Sequence, residues 1–300
     1  MTHRADGQIE GFDYERIEVD SASYSLALGG DGPAVVLLHG YPQTHYCWRE
    51  VAPQLARTHR VIAPDIRGYG ASTAPAGGPH GEGYSKREMA ADVVALLDAL
   101  GVDRAAVVGH DRGGRVGYRM ALDHPDRVER LAVLNIVPTV DQFERVTPDN
   151  AIDYWPWFLL AQPAPFPERL IAAAPDHYLR SIFDAWAARP ERIGPGAVAH
   201  YVAALTDDTI AATCADYRAS FHIDRQLDAG DRAAGRRIEP PVLVLWGQLD
   251  EGFADESGPL EVWAPWAERL AGGPIRAGHF IPEEAPEELL AALTPFLSAV

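Results

Sequence analysis

Two hydrophobic rhythms alternate along the first 135 residues of the chain. One is the short unbroken apolar run: Ala34-Val35-Val36-Leu37-Leu38, Val61-Ile62-Ala63-Pro64, Ala105-Ala106-Val107-Val108 and Leu131-Ala132-Val133-Leu134. Runs of this length without polar alternation predict strands covered on both faces, as in a parallel sheet. The other rhythm is apolar residues at helical spacing. Trp48, Val51 and Leu55 follow Thr44, and Met89, Val93, Val94 and Leu97 mark a helix over 85–100. Arg16 to Val19 and Ser23 to Leu28 alternate instead, which predicts a pair of strands near a sheet edge. Strand and helix in regular succession predict an α/β domain with a parallel or mostly parallel sheet.

From about Val137 to Arg237 the rhythm changes. Strand-type runs disappear, and aromatic residues and prolines accumulate in helical or irregular segments. Val242-Leu243-Val244-Leu245-Trp246 then restores a buried strand, followed by a helix carrying Val262, Trp263 and Trp266. A last strand leads to Gly278-His279, and Glu287 to Leu297 closes the pattern as a helix. The economical organisation is one sheet domain built from 1–136 and 238–300, interrupted by a helical cap over 137–237.

Gly109-His110-Asp111-Arg112-Gly113-Gly114-Arg115 stands between an apolar strand and a helix carrying Val116, Met120 and Leu122. Glycines two before and two after Asp111 allow a bend too tight for side chains there. That is the layout of a nucleophile elbow, with Asp where ester hydrolases carry Ser. A carboxylate suits displacement of a leaving group from saturated carbon, forming an ester on the enzyme. An Asp ahead of a helix is also an ordinary N-cap, which is the plainer role for this residue.

The chain has 300 residues, 26 Lys plus Arg against 43 Asp plus Glu, and a formal charge of -17. Nucleic acid and anionic membranes are therefore excluded as expected partners, and an anionic substrate needs a local cationic pocket. Cys47 and Cys214 are too few for a disulfide framework and suit a reducing compartment. The polar stretch Met1 to Glu15 has no apolar signal core, and no apolar run approaches the ~20 residues that span a bilayer. The expectation is a cytoplasmic protein. The histidines and cysteines lack metal-ligand spacing, so no metal and no cofactor is expected.

Four motifs in order carry a resemblance: His39-Gly40-Tyr41-Pro42-Gln43-Thr44, Asp65-x-Arg67-Gly68-Tyr69-Gly70, the elbow at 109–115, and Gly278-His279-Phe280-x-Pro282-Glu283-Glu284. Together they span nearly the whole chain. The sequence resembles the α/β-hydrolase fold and, within it, the haloacetate (fluoroacetate) dehalogenases. Arg directly after the elbow Asp is the feature specific to that group.

The resemblance implies Asp111 as nucleophile, His279 as general base, and the backbone N–H groups of Tyr41 and Arg112 as an oxyanion hole. The dehalogenases often place the supporting acid after the sixth strand, where this chain has Asn135. Trp246-Gly247-Gln248-Leu249-Asp250 offers an acid after the seventh strand instead, so Asp250 is the expected partner of His279, with Glu251 as competitor. Arg112 and Arg115, three apart in the first helical turn, can face one pocket and grip a carboxylate. Arg119 and Arg127 lie farther along and read as surface or ion-pair residues.

In the cap, Trp157 matches the family's halide-binding Trp, as the following Leu160-Ala161-Gln162-Pro163-Ala164-Pro165 indicates, and Tyr217 matches its Tyr. The family's third donor, a His, is replaced by Pro156, which cannot donate. His177, His200 and His222 are the histidines elsewhere in the cap that bear on that gap, and each is expected to be exposed. Core packing is the alternative for Trp157 and Tyr217.

The leading reading is therefore a cofactor-independent dehalogenase of small anionic 2-haloacids, with chloride and bromide preferred to fluoride. An epoxide hydrolase with the same Asp, His and acid is the main rival, with Tyr154 and Tyr217 as its two acids. Arg112 speaks against it, since epoxide hydrolases generally have an aromatic residue there. A non-catalytic ligand-binding homologue is the third. Members of the resembled family are commonly homodimers, and the resemblance implies that assembly here.

Overall fold

The structure is a computed structural model and describes residues 7–250 and 258–298. Its strands are β1 (Asp13–Val19), β2 (Ala22–Gly29), β3 (Ala34–Leu38), β4 (Arg60–Pro64), β5 (Ala105–His110), β6 (Val128–Leu134), β7 (Val242–Gly247) and β8 (Leu270–Ile275). They form one sheet in the order β1-β2-β4-β3-β5-β6-β7-β8. β1 and β2 pair antiparallel, as do β2 and β4, while every other neighbouring pair is parallel. The alternating edge pair and the mostly parallel sheet predicted from periodicity are both present.

The central strands are apolar on both faces because helices cover both. All of β5 is buried, as are four of the five residues of β3. The helix Lys86–Ala99 begins at a capping box, with Ser85 and Glu88 satisfying each other's backbone N–H groups. Between β6 and β7 the chain is helical from Thr139–Glu144 through Arg225–Ala233. The expected helix after Thr44 is broken into a single tight turn, His45–Trp48, and a short helix, Ala52–Leu55.

Strand order places a crevice at the carboxyl ends of β3 and β5. The chain runs outward from β3 to β4 and then returns past β3 to form β5, so the loops after β3 and β5 leave in different directions. Ligands of open α/β sheets bind at such a switch point. Here the two loops begin with His39-Gly40-Tyr41 and with Asp111.

Asp111 is the single residue between β5 and the helix Arg112–Asp123, at φ +46° and ψ −114°. A non-glycine residue in that region costs on the order of 1–3 kcal/mol, which surrounding structure must offset. The flanking glycines allow close backbone approach. A Cβ at Gly109 would lie 2.4 Å from the Gly113 carbonyl oxygen, and one at Gly113 only 2.3 Å from that of Leu38. The helix is thus pressed against β3 and β5, and Asp111 projects at their ends.

Buried ion pairs tie the inserted helices to the sheet domain. Arg119 pairs with Asp228 at 2.6 Å and with Asp231 at 2.5 Å, and its side chain is 1% exposed. It is the ion-pair residue the sequence suggested, but not a surface one. Arg127 pairs with the largely exposed Asp98. Lys86 reaches Asp216 and lies 3.5 Å from Asp224. The helix Asp207–Ala219 continues into a wide turn at Ser220–Asp224, which keeps Asp216, Ser220 and Asp224 on one buried side. Cys47 and Cys214 are buried and unpaired. Among the described residues no helix is long and apolar enough to cross a membrane.

Gly113→Ala should destabilise the protein by roughly 1–3 kcal/mol, the usual cost of overpacking. Gly196→Ala, where an added Cβ meets nothing within 4 Å, is the control. Urea denaturation curves should shift their midpoint for the first and not for the second.

Candidate active site

A cavity of about 330 Å³ lies between the carboxyl ends of the strands and the inserted helices. The sheet domain contributes Asp111, Arg115, Asn135, Asp250 and His279 to its lining, and the inserted segment contributes Tyr154, Trp155, Trp157, Trp186 and Tyr217. All of these except Trp155 and Trp186 are residues assigned a role from sequence. The lining does not include Arg112 or Tyr41.

Asp111 makes no side-chain cap bond to its helix, which removes the plain N-cap explanation. Its Oδ2 instead accepts the Tyr41 backbone N–H at 2.8 Å. Burial works against its ionisation, but the positive charges of His279, Arg112 and Arg115 outweigh that and hold its pKa below the ordinary carboxylate value. The carboxylate is thus buried and ionised, with one of its two oxygens pinned.

His279 follows β8, and its backbone N–H donates to the Trp186 carbonyl at 3.0 Å. Its Nδ1 is 3.4 Å from Asp250 Oδ2 and 2.8 Å from Asn135 Nδ2, while Nε2 is buried without a hydrogen-bond partner among the described residues. Burial lowers its pKa, yet the hydrogen bond and charge of Asp250 and the charge of Asp111 raise it further, and the net shift is upward. His110, packed 5.0 Å from the His279 ring, is pushed down to about 3 by burial and by that neighbour, so it is neutral. The expected acid thus stands beside His279, with Asn135 wedged against both. Glu251, its competitor, lies outside the described residues.

The two arginines separate. Arg112 does not share the cavity lining with Arg115. Its guanidinium donates to both carboxylate oxygens of Asp216, at 2.9 and 2.7 Å, and to Ser220 Oγ at 2.6 Å. The expectation that both face one pocket is corrected here: the carboxylate that neutralises Arg112 is on the inserted helix. Arg112 Nη1 is the nitrogen left without a partner among the described residues. Arg115 has only neutral hydrogen-bond partners, the Val137 carbonyl at 2.9 Å, Thr139 Oγ1 at 3.2 Å and Gln142 Oε1 at 3.3 Å. Its Nε has none among the described residues. Both guanidinium carbons lie within 5.0 Å of the Trp157 ring centroid.

Trp157 and Tyr217 sit edge to face with centroids 5.3 Å apart. Pro156 is buried at the second position of the helix Trp155–Leu160. His177, His200 and His222 do not line the cavity, so none refills that place. His177 is exposed as expected, whereas His200 and His222 are half-buried, and His200 lies 3.1 Å from Thr44 Oγ1.

Sequence reasoning missed Trp186, whose ring packs 5.0 Å from that of His279. It also missed Gln142 on Arg115, and Tyr178, which accepts the Tyr41 hydroxyl at 2.9 Å. No local pattern distinguishes these from other helical residues. Only the folding of the inserted segment over the sheet brings them to the site. No group of His, Cys, Asp and Glu among the described residues is arranged to hold a metal ion.

Comparison with known proteins agrees with this geometry. A family model for the alpha/beta hydrolase fold matches residues 33–286. The chain is 41% identical over 292 residues to a fluoroacetate dehalogenase from Burkholderia sp., covering 96% of this chain and 95% of that one. It is 33% identical over 274 residues to a soluble epoxide hydrolase from Corynebacterium sp. (strain C12), covering 90% and 91% respectively. A solved structure from Nostoc sp. PCC 7120 superposes with a TM-score of 0.94 at 41% identity, over 98% of this chain and 100% of that one. This chain therefore belongs to the α/β-hydrolase fold family, in its haloacetate dehalogenase-like branch, and it is a hydrolase.

In an NMR titration His279 should deprotonate above the ordinary histidine value of about 6.5. Asp250→Asn should lower that value, because the neighbouring anion favours the charged ring. An unchanged titration in the variant would show that the Asp250 charge does not reach His279.

Proposed function

We propose that this hydrolase removes halide from small 2-halo carboxylic acids by way of an ester on Asp111. The observation that carries the reading is Arg115, a buried cation on the same cavity as Asp111 with only neutral partners. A buried guanidinium with no carboxylate hydrogen-bonded to it is costly, and a substrate carboxylate can make that contact in bidentate geometry.

With the carboxylate on Arg115, the adjacent carbon faces Asp111. Oδ1 attacks that carbon, the carbon–halogen bond breaks, and halide departs toward the indole and phenol donors of Trp157 and Tyr217. Oδ2 becomes the ester carbonyl oxygen, still held by the Tyr41 N–H. His279 takes a proton from water as its oxygen attacks the ester carbonyl carbon, and negative charge builds on Oδ2 beside that N–H and the backbone N–H of Arg112. On collapse His279 returns its proton to the departing Oδ1, which releases the 2-hydroxy acid and leaves the water oxygen in Asp111.

Esterification also prepares the base. The charge of Asp111 helps keep His279 protonated, and that charge vanishes when the ester forms. The imidazole pKa then falls at the step that needs a neutral ring.

Fluoride is the poorest of the leaving groups and gains most from hydrogen-bond donors. Pro156 removes one that the resembled dehalogenases have, and losing one donor to developing charge costs on the order of 3 kcal/mol.

Tyr154 and Tyr217, both on the cavity, support a second reading, epoxide opening by the same Asp111 with two phenols as acids. The resemblance to the Corynebacterium epoxide hydrolase supports it as well. Arg115 distinguishes the two, because a neutral epoxide leaves its charge unmatched.

Halide release from fluoro-, chloro- and bromoacetate should be measured beside hydrolysis of styrene oxide. Chloroacetate and bromoacetate should turn over at least about a hundredfold faster than fluoroacetate, as the lost donor implies, and Arg115→Met should raise KM for both. Turnover of styrene oxide with no halide release would overturn the proposal in favour of the epoxide reading.

A further inference from the structure

Asn135 occupies the end of β6 at φ +59°, a left-handed conformation that Asn tolerates better than most residues. Its amide is fixed at both ends. Oδ1 accepts the Gly247 backbone N–H at 2.7 Å, and Nδ2 donates to Asp250 Oδ2 at 2.6 Å. Turned over, the amide would set its oxygen against a carboxylate and its nitrogen against an N–H donor. The orientation is therefore determined by its partners.

The second hydrogen of that Nδ2 falls to His279 Nδ1, 2.8 Å away. Asp250 Oδ2 is farther, at 3.4 Å. An N–H donor facing Nδ1 requires a lone pair there, so the ring proton of neutral His279 belongs on Nε2. A general base needs the opposite arrangement, with Nδ1 protonated and held by the acid and Nε2 bare toward the water. Among the described residues, the other charged groups that act on the ring are Asp111 and Glu284. Glu284 is engaged by the backbone N–H groups of Gly278, Phe280 and Arg189 and does not compete for Nδ1.

We propose that Asn135 is a positioning residue that holds neutral His279 in its Nε2–H tautomer, so that the base becomes competent only when Asp250 displaces the amide from Nδ1. The consequence for turnover rests on the dehalogenase reading above: with chloroacetate and bromoacetate, ester hydrolysis rather than halide departure limits the cycle. The tautomer itself does not rest on that reading. Exchanging the two side chains, Asn135→Asp with Asp250→Asn, keeps an acceptor for the Gly247 N–H and puts the carboxylate at the shorter distance from Nδ1.

The test is ¹⁵N NMR of the full-length protein above the imidazole titration, with His279→Gln identifying the ring signals. Wild type should show Nε2 protonated and Nδ1 bare, and the exchanged variant the reverse. In single-turnover experiments with chloroacetate, the exchange should speed ester breakdown roughly tenfold, the effect of one hydrogen bond no longer opposing the step. A wild-type spectrum with neutral His279 protonated on Nδ1 would overturn the proposal even if the exchanged variant failed to fold. Absence of halide release from every haloacid would instead overturn the dehalogenase reading and leave the tautomer result standing.

Discussion

A buried cation that no carboxylate of the protein hydrogen-bonds governs this site. Two guanidiniums enter from the first turn of one helix, and the protein supplies a carboxylate to only one of them. Arg112 is closed off by Asp216, while Arg115 rests on a carbonyl, a hydroxyl and an amide oxygen. In a chain of formal charge -17, a buried cation whose hydrogen bonds go only to neutral groups runs against the composition. The same small volume holds Asp111 ionised despite its burial. In the proposed reaction, anion recognition and nucleophile activation draw on one local positive field, which low polarity makes strong and the rest of the surface cannot supply.

The inserted helices complete that field rather than merely covering it. Asp216 binds Arg112 and Lys86, and the next residue, Tyr217, faces the cavity. The wide turn after this helix returns Ser220 to Arg112 and Asp224 to Lys86, so two cations and two carboxylates form a buried balanced cluster. Truncating one member of such a cluster strands an opposite charge in the interior, which is more damaging than never having had the pair. The registration of cap on core, and with it the placing of Trp157 and Tyr217, follows from this pairing.

Much of this was legible in the residues themselves. Unbroken apolar runs identified the central strands, since a strand covered on both faces has no reason to alternate. The spacing around Asp111 identified the elbow, because the glycines are where a Cβ would collide with backbone. Arg115 could be named for the same reason, by its place in a helix whose start was fixed. The fate of Arg112 could not be read, because its partner lies 104 residues away on another element. Trp186 and Gln142 were hidden likewise, and Arg119 looked superficial because nothing local announces Asp228. Helical periodicity reports which face is buried, not which distant charge meets it there. Asn135 was visible as a departure from the resembled pattern, but its partners became clear only once β7 had brought Gly247 and Asp250 alongside.

The most direct measurement of the central claim is mass spectrometry of a His279→Gln variant incubated with chloroacetate and digested at low pH. With the base removed, the intermediate should persist, and the peptide containing Asp111 should carry a carboxymethyl group on that residue, absent when Arg115 is also replaced by Met. Chloroacetate turnover by the wild-type protein with no such adduct on Asp111 in the variant would contradict the account.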